Sequence, residues 1–313
     1  TDLHASIPPV LSVRHPDIQN ALIAAASDAG AHVFRPATVT LDRTAAGPTM
    51  EILQGDTRTL LTPRLVVGAD GSRSATRSWI GGSATRDPIH HYLAGTLIDG
   101  IELPANAAHH ASGPGGFSMI FPQTDRQYRL YFVCLPDERA ALQGANQAEA
   151  VVGGASRFFP DGSLDNWTAH GPTGFFPNAD VVSSVVAGPN CVLIGDAAGA
   201  NDPSLGHGMA LTFKDVRELS SLLLGESDWD AALEEFASRR AAYFDVLRQH
   251  AIWTSGITTE IGVDADAARA RVARARQLDP AAGGFAALFA MGPDGLVADE
   301  AARQHFLGLD FAS

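Results

Sequence analysis

Cys191-Val192-Leu193-Ile194-Gly195-Asp196-Ala197-Ala198, followed shortly by Asp202-Pro203-Ser204-Leu205-Gly206-His207-Gly208-Met209, decides how the rest of the chain is read. A short apolar run of strand type delivers a carboxylate at its C-terminal end, and a glycine-rich turn then opens a helix expected over 205–224. A carboxylate there can accept hydrogen bonds from sugar-type hydroxyls. The N–H groups at the helix start favour a polar, electron-rich ligand edge. Gly206 and Gly208 let a flat ligand approach the backbone closely. An ordinary strand–turn–helix with a capping aspartate explains Gly195-Asp196 alone, but not Pro203 and both glycines at these offsets.

A second stretch has the same grammar: Val66-Val67-Gly68-Ala69-Asp70-Gly71-Ser72-Arg73-Ser74-Ala75-Thr76-Arg77. It predicts a strand, a glycine turn holding an aspartate, and a short helix over 74–79 with a basic start. Asp70 is suited either to hold the turn or to reach a ligand. Arg73 and Arg77 are suited to pair with it or to face a phosphate. A plain tight turn competes with the ligand reading for this stretch taken alone.

Outward from these stretches, 14–30 reads as a helix, with Pro16 and Asp17 in its first turn, Ile18, Leu22 and Ala25 or Ala26 as its apolar face, and Gly30 as its stop. A strand is expected over 31–34, then a β-meander over 37–42, 49–53 and 57–61. From His90 to Leu135 the pattern alternates, with turns at 113–116 and 122–125, and predicts an antiparallel sheet. Helices are expected over 147–158, 229–254 and 265–278, and strands over 181–186 and 191–194. His90-His91 and His109-His110 fall on expected strands, where adjacent side chains point to opposite faces, so neither pair is expected to chelate a metal and no metal is expected. Trp253 is expected in core packing.

The composition sets outer limits. The chain has 313 residues, 45% hydrophobic and 18% charged, which is an ordinary globular balance and a length for about two domains. The net charge of −13 is the wrong sign for non-specific binding of nucleic acid or of an anionic membrane surface. No apolar run approaches the ~18–20 residues that span a bilayer, and no signal-peptide pattern is visible at the start. Cys134 and Cys191 sit singly in apolar strands, so they read as buried free thiols of a reducing cytoplasm rather than a disulfide or zinc site.

Taken in order, these stretches resemble the fingerprints of the flavoprotein aromatic hydroxylases, the FAD-dependent monooxygenases of the para-hydroxybenzoate hydroxylase fold. Gly68-Ala69-Asp70-Gly71-Ser72-Arg73-Ser74 with Arg77 resembles their second fingerprint. Gly195-Asp196-Ala197-Ala198 with Pro203, Gly206 and Gly208 resembles their third, which serves the flavin ribityl chain. Arg14, with Ile18 and Leu22 behind it, resembles the Arg-x-x-x-Leu helix start that precedes both. The likeness runs from Arg14 to Leu224; the β-rich middle and the C-terminal helices match in kind only.

The resemblance implies an α/β (α+β) fold. It consists of an incomplete Rossmann-like FAD-binding domain from 1–85 and 180–225, an inserted antiparallel-sheet substrate domain over 86–179, and a C-terminal helical region over 226–313. It implies FAD, NAD(P)H as co-substrate, and O2 activated to oxygenate a small organic substrate, aromatic ones included. Arg14 would contact the ribose–pyrophosphate region. Asp70 and Gly71 would form the loop serving FAD and NAD(P)H. Gly195 and Asp196 would bind ribityl or ribose hydroxyls. Leu205, Gly206, His207, Gly208 and Met209 would lie beside the pyrimidine edge, where the helix dipole stabilises charge on reduced flavin. Pro203 would line the reaction face. His207 is the second catalytic candidate, as a proton-handling imidazole, against a plain surface position in a helix first turn. The sheet carrying Phe117, Phe121, Tyr128 and Tyr131 would roof the substrate, although an ordinary apolar face is as good a reading of each.

The sequence also departs from the family. Ala210 stands where an Asn is common, and Gly199 replaces a commoner His. No Gly-x-Gly-x-x-Gly occurs, nor the acidic ribose partner that follows it. That motif belongs to an N-terminal βαβ unit of at least ~30 residues. The expectation is therefore a sheet without its first strands, an open apolar edge, and a preceding segment of the same protein as partner. Competing functions are a flavin halogenase or reductase of the same fold, and a non-catalytic remnant or subunit that does not hold FAD alone. Against halogenation, no tryptophan cluster is present, and Lys214, the sole lysine, follows the flavin motif.

Overall fold

The computed structural model describes residues 12–113, 116–280, 282–283 and 294–311; the opening 1–11 and the middle of the expected turn 113–116 lie outside them. Helix α1 (His15–Asp28) follows Arg14, which occupies the N-cap position without a side-chain capping bond; the helix carries Pro16 in its first turn and ends before Gly30, whose φ is +94°. Its expected apolar face is not covered: no residue of α1 is buried, and Leu22 is 49% exposed. The expected strand at 31–34 is irregular, because no described strand pairs with it. The meander forms as expected from β1 (Thr38–Thr44), β2 (Gly47–Gln54) and β3 (Thr57–Leu61), with tight antiparallel turns closed by Thr44↔Gly47 and Gln54↔Thr57.

Strand β4 (Val66–Gly68), helix α2 (Ala75–Trp79) and strand β5 (Ala84–Arg86) follow. The chain then builds an antiparallel sheet from β6 (His91–Asp99), β7 (His109–Gly113), β8 (Gly116–Pro122) and β9 (Tyr128–Cys134). Helices α3 (Pro136–Leu142) and α4 (Gln147–Ser156) precede two more of its strands, β10 (Thr168–Ala169) and β11 (Gly174–Asn178). The order is β10-β6-β9-β8-β7, and β11 also pairs with β6. Alternation sends Ala94, Ile98, Ile120, Leu130 and Phe132 to one face, where α4 covers them with Val151, Val152 and Ala155. Leu93, Phe117, Met119 and Val133 take the opposite face. Each such large side chain contributes about 1.5–3 kcal/mol by leaving water.

The chain then returns through β12 (Val181–Ser183), β13 (Ala187–Gly188), β14 (Cys191–Leu193) and β15 (Gly199–Ala200). Strand β14 runs parallel to β4, from Cys191↔Val66 to Leu193↔Gly68, with β13 on its other edge. This is the one parallel pair among the described residues. The expected long helix starts later than 205. A 3-10 turn occupies Pro203–Leu205, Gly206 adopts φ +67°, and α5 (Gly208–Gly225) begins beyond it. Helices α6 (Trp229–Thr258), α7 (Val263–Leu278) and α8 (Glu300–Phe306) complete a mixed α/β molecule. Val192 and Ile194 pack against Leu219, Leu233 and Phe236, which joins the parallel pair to α5 and α6. Trp253 is core, as expected, against Val272 and Phe306. Both cysteines are buried and free. Among the described residues, no helix is long and apolar enough to cross a membrane.

Candidate functional site

Because β4 and β14 are parallel neighbours, the two aspartate turns that follow them emerge side by side at the carboxyl ends of the strands. That is where open α/β sheets bind ligands. Gly68 makes the arrangement compact: a Cβ there would stand 2.7 Å from both Leu193 and Thr76. Asp70 accepts hydrogen bonds from the Thr76 backbone N–H (2.9 Å), the Thr76 hydroxyl (3.0 Å) and the Ser74 hydroxyl. Burial alone would raise the Asp70 carboxyl, but these bonds hold it below the usual carboxylate range. Asp70 therefore holds the turn. Ser74 in turn caps α2 by accepting from the Arg77 N–H at 2.9 Å.

Arg77 does neither of the things expected of it. It is 4% exposed, and its guanidinium donates to main-chain carbonyls: Ser72 (3.1 Å), Ala197 (2.9 Å) and Asp196 (3.3 Å). It thus ties the first aspartate turn to the second.

The second turn is also held from beneath, by residues the sequence reading missed. Asp215 on α5 accepts from the Gly195 N–H at 2.7 Å, from Arg240 Nε at 3.2 Å and from the Tyr243 hydroxyl at 2.5 Å. Arg240 also donates to the carbonyls of Gly195 (3.2 Å) and Gly199 (2.9 Å). A signal for this was present: the buried residues of α5 are Leu211, Asp215 and Leu219, spaced four apart, so the helix's core stripe contains a carboxylate. With its backbone pinned on both sides, Asp196 projects its side chain outward, and among the described residues that side chain accepts no hydrogen bond. Desolvation pushes its carboxyl above the usual range, partly countered by the charge of Arg240.

The loop carrying Pro203 is rigid for its own reasons. Asp180 accepts from the Asn201 side chain (3.0 Å) and the Asp202 N–H (2.7 Å). Asp202 accepts from the Ser204 N–H (2.8 Å), Asn178 Nδ2 (3.0 Å) and His90 Nε2 (2.8 Å). Burial would raise Asp202, but His90 and Ser204 keep its carboxyl low. Pro203 is half-buried, Gly206 and Met209 are exposed, and His207 is 5% exposed, so it is not the surface residue of a helix first turn. Among the described residues a Cβ on Gly206 or Gly208 would meet nothing within 4 Å, so they leave open space beside this backbone. The structure thus brings Asp70, Gly71, Gly195 and Asp196 together at the carboxyl ends of one strand pair, and Pro203 to Met209 follow on the same pinned loop. Arg14 makes an ion pair with Asp17, at 3.8 Å.

The expectation that adjacent rings point to opposite faces fails at His90-His91. His90 precedes β6, which begins at His91, so strand alternation does not apply to it. Instead the Nδ1 atoms of the two rings lie 2.9 Å apart. In the sheet, alternation splits the expected aromatic set. Tyr128 faces α4 and donates to the Leu103 carbonyl at 2.9 Å. Phe121 and Tyr131 meet edge-to-face on the opposite side, and Phe176 continues that row. A shallow cleft of about 210 Å³ beside Arg64, Asn190 and Trp229 lies at the other, N-terminal end of the parallel strands and involves none of these residues.

Comparison with known proteins agrees with this geometry. Residues 1–243 match the family model described as FAD binding domain. Kynurenine 3-monooxygenase from Cytophaga hutchinsonii is 27% identical over 257 residues, 74% of this chain and 55% of that protein. Digeranylgeranylglycerophospholipid reductase 1 from Methanococcoides burtonii is 25% identical over 152 residues, 47% of this chain and 35% of that protein. The chain thus spans about half or less of the length of these relatives. Among solved structures, the flavin-dependent brominase Bmp2 superposes with a TM-score of 0.72 at 15% identity, covering 97% of this chain and 77% of that one. Aklavinone-11 hydroxylase in complex with FAD and aklavinone superposes with a TM-score of 0.66 at 18% identity, covering 79% and 48%. Likenesses at that identity establish a shared fold.

Proposed function

The chain belongs to the FAD binding domain family, and from that premise we propose that it is a flavin-dependent monooxygenase, which uses NAD(P)H as reductant and O2 as oxidant to oxygenate a small organic substrate. The observation that carries the reading is an outward carboxylate and a glycine-opened helix start on one loop, pinned at the carboxyl ends of a parallel strand pair.

The residues present fit the cofactor. Asp196, free of side-chain hydrogen bonds among the described residues, would accept from ribityl or ribose hydroxyls. Open space beside Gly206 and Gly208 suits the close approach of a flat ring. The N-terminus of the 18-residue helix α5 favours negative charge at the ring's pyrimidine edge, beside Leu205 to Met209. Asp70 would keep Gly71 and its loop in shape for the nucleotide, and Arg14 would meet the ribose–pyrophosphate region. When bound, FAD supplies the redox and oxygen chemistry; the chain supplies position and field. Pro203 would wall the reaction face, and buried His207 would hold a proton behind it.

The relative that carries a monooxygenase name supports oxygenation, and the Phe121–Tyr131–Phe176 row supports an aromatic substrate. Halogenation is the competing outcome within the shared fold. Lys214 gives it no support, because it sits on α5 bound to Asp294 and Glu218 and lies over the Tyr243 ring. The test is to titrate the purified chain with FAD and record flavin absorbance and NAD(P)H-dependent O2 uptake. Saturable flavin uptake and O2 consumption are expected, both reduced in Asp196→Ala. A chain that takes up no FAD would support the remnant reading, and unchanged flavin retention in Asp196→Ala would overturn the role given to that carboxylate.

A further inference from the structure

The approach of the two histidine rings points to a site outside the flavin machinery. His90 stands just before β6, His91 is its first residue, and Glu260 follows the C-terminal end of α6. One ligating atom from each of the three lies within 4.8 Å of the others. We propose that His90, His91 and Glu260 form a binding site for a divalent transition-metal ion of the zinc type, held by the two Nδ1 atoms and the Glu260 carboxylate, with water completing the shell.

Four observations converge on this. First, two imidazole nitrogens and a carboxylate oxygen form a donor set that suits zinc, nickel or cobalt. Second, the geometry fits. At a metal–nitrogen bond of about 2.1 Å, the 2.9 Å separation of the Nδ1 atoms corresponds to a bite of roughly 90°, the angle of adjacent ligands in a six-coordinate site. Moving the rings apart to about 3.4 Å would give a tetrahedral site. Third, the far nitrogen of His90 is already engaged as in a metal-ligating histidine: Nε2 lies 2.8 Å from Asp202 Oδ2. A carboxylate on that nitrogen fixes the ring and keeps Nδ1 as the free ligating atom, on the side of His91 Nδ1 and the Ser255 hydroxyl, which lies 3.4 Å from it. Fourth, access and rigidity are both present. The His90 side chain is 32% exposed and Glu260 is exposed, while His91 is 2% exposed and locked in the sheet. The Glu260 N–H donates to the Ser255 carbonyl at 3.0 Å, which fixes the start of its side chain.

The same two rings also share one hydrogen bond through their Nδ1 atoms, and that is the alternative the experiment must separate. An ion there would clamp the start of the sheet to the end of α6, and through Asp202 it would brace the Pro203 loop.

The test uses the chelator-treated full chain without a histidine tag, titrated calorimetrically with ZnCl2 and in parallel with CoCl2 followed by visible absorption. One equivalent is expected to bind, with a raised melting midpoint. Glu260→Gln, an exposed change that leaves the fold intact, is expected to weaken binding by roughly tenfold or more. His90→Gln is expected to abolish it, with folding checked by circular dichroism, and His170→Gln, at a distant surface histidine–aspartate pair, to leave it unchanged. Absence of saturable one-to-one binding would overturn the proposal in favour of a hydrogen-bonded histidine pair. Binding unaffected by Glu260→Gln and His90→Gln would overturn it in favour of adventitious surface sites.

Discussion

A guanidinium that is 1% exposed must find its acceptors within the protein, and Arg240 finds the Asp215 carboxylate and two carbonyls of the Gly195–Gly199 turn. Removing one partner leaves a buried, uncompensated charge, which costs more than the pair contributes. Arg240→Met is therefore expected to destabilise the fold by about 3–5 kcal/mol in urea denaturation. The double variant Asp215→Asn/Arg240→Met should lose clearly less than the two single losses added together. The thiols make the opposite case, since nothing answers them. Burial pushes Cys134 and Cys191 up to about 11, so both stay protonated at neutral pH. The folded chain should not react with a thiol-specific disulfide reagent at pH 8, whereas both cysteines should titrate in denaturant; fast native labelling would contradict the burial. At this scale the sequence showed the cysteines well, because an apolar strand context is local. It did not show what Arg77 or Arg240 binds, because their partners lie 120 and 25 residues away along the chain.

Helix starts were legible in their chemistry but not in their position. Pro203 and the two glycines announce a turn, yet the helix begins only at Gly208, after a 3-10 turn and a residue at φ +67°. Apolar periodicity runs back to 205, but the left-handed conformation of Gly206 interrupts the helix there. The two glycines now separate a backbone effect from a ligand effect. Gly206→Ala should cost stability of about 1 kcal/mol through its positive φ. Gly208→Ala has no such strain and open space around it, so stability should hold or rise by a few tenths of a kcal/mol. If the flavin ring lies against this backbone, Gly208→Ala will weaken FAD uptake all the same. FAD affinity equal to the parent chain, measured by fluorescence titration, would place the ring elsewhere. Arg77 couples elements in the same way: Arg77→Met frees the carbonyls of Ser72, Asp196 and Ala197 at once, so it should lose both stability and FAD uptake.

Across the whole molecule, alternation and strand–turn–helix grammar made the sheet and the aspartate turns legible, because each is a local pattern repeated over a few residues. Coverage was not legible. The apolar face of α1 looks like a core stripe in sequence, yet no described element buries it. His90 and His91 looked divergent until the start of β6 placed one of them outside the strand. The site itself depends on parts far apart in the chain: α2 and α6 each send one arginine to the 195–199 turn, and β11 and α6 pack against the loop that carries Pro203. A ligand seated on those loops would therefore draw on the stability of several elements. If FAD binds the folded chain alone, an excess of about 100 times its dissociation constant adds roughly 2.7 kcal/mol. For a chain of this size that corresponds to a melting midpoint about 4 °C higher. Calorimetry with and without FAD reads this directly. Asp196→Ala should erase most of the increment while leaving the ligand-free midpoint nearly unchanged, since its carboxylate accepts no hydrogen bond among the described residues; a full increment in that variant would move the ribityl contact to another residue.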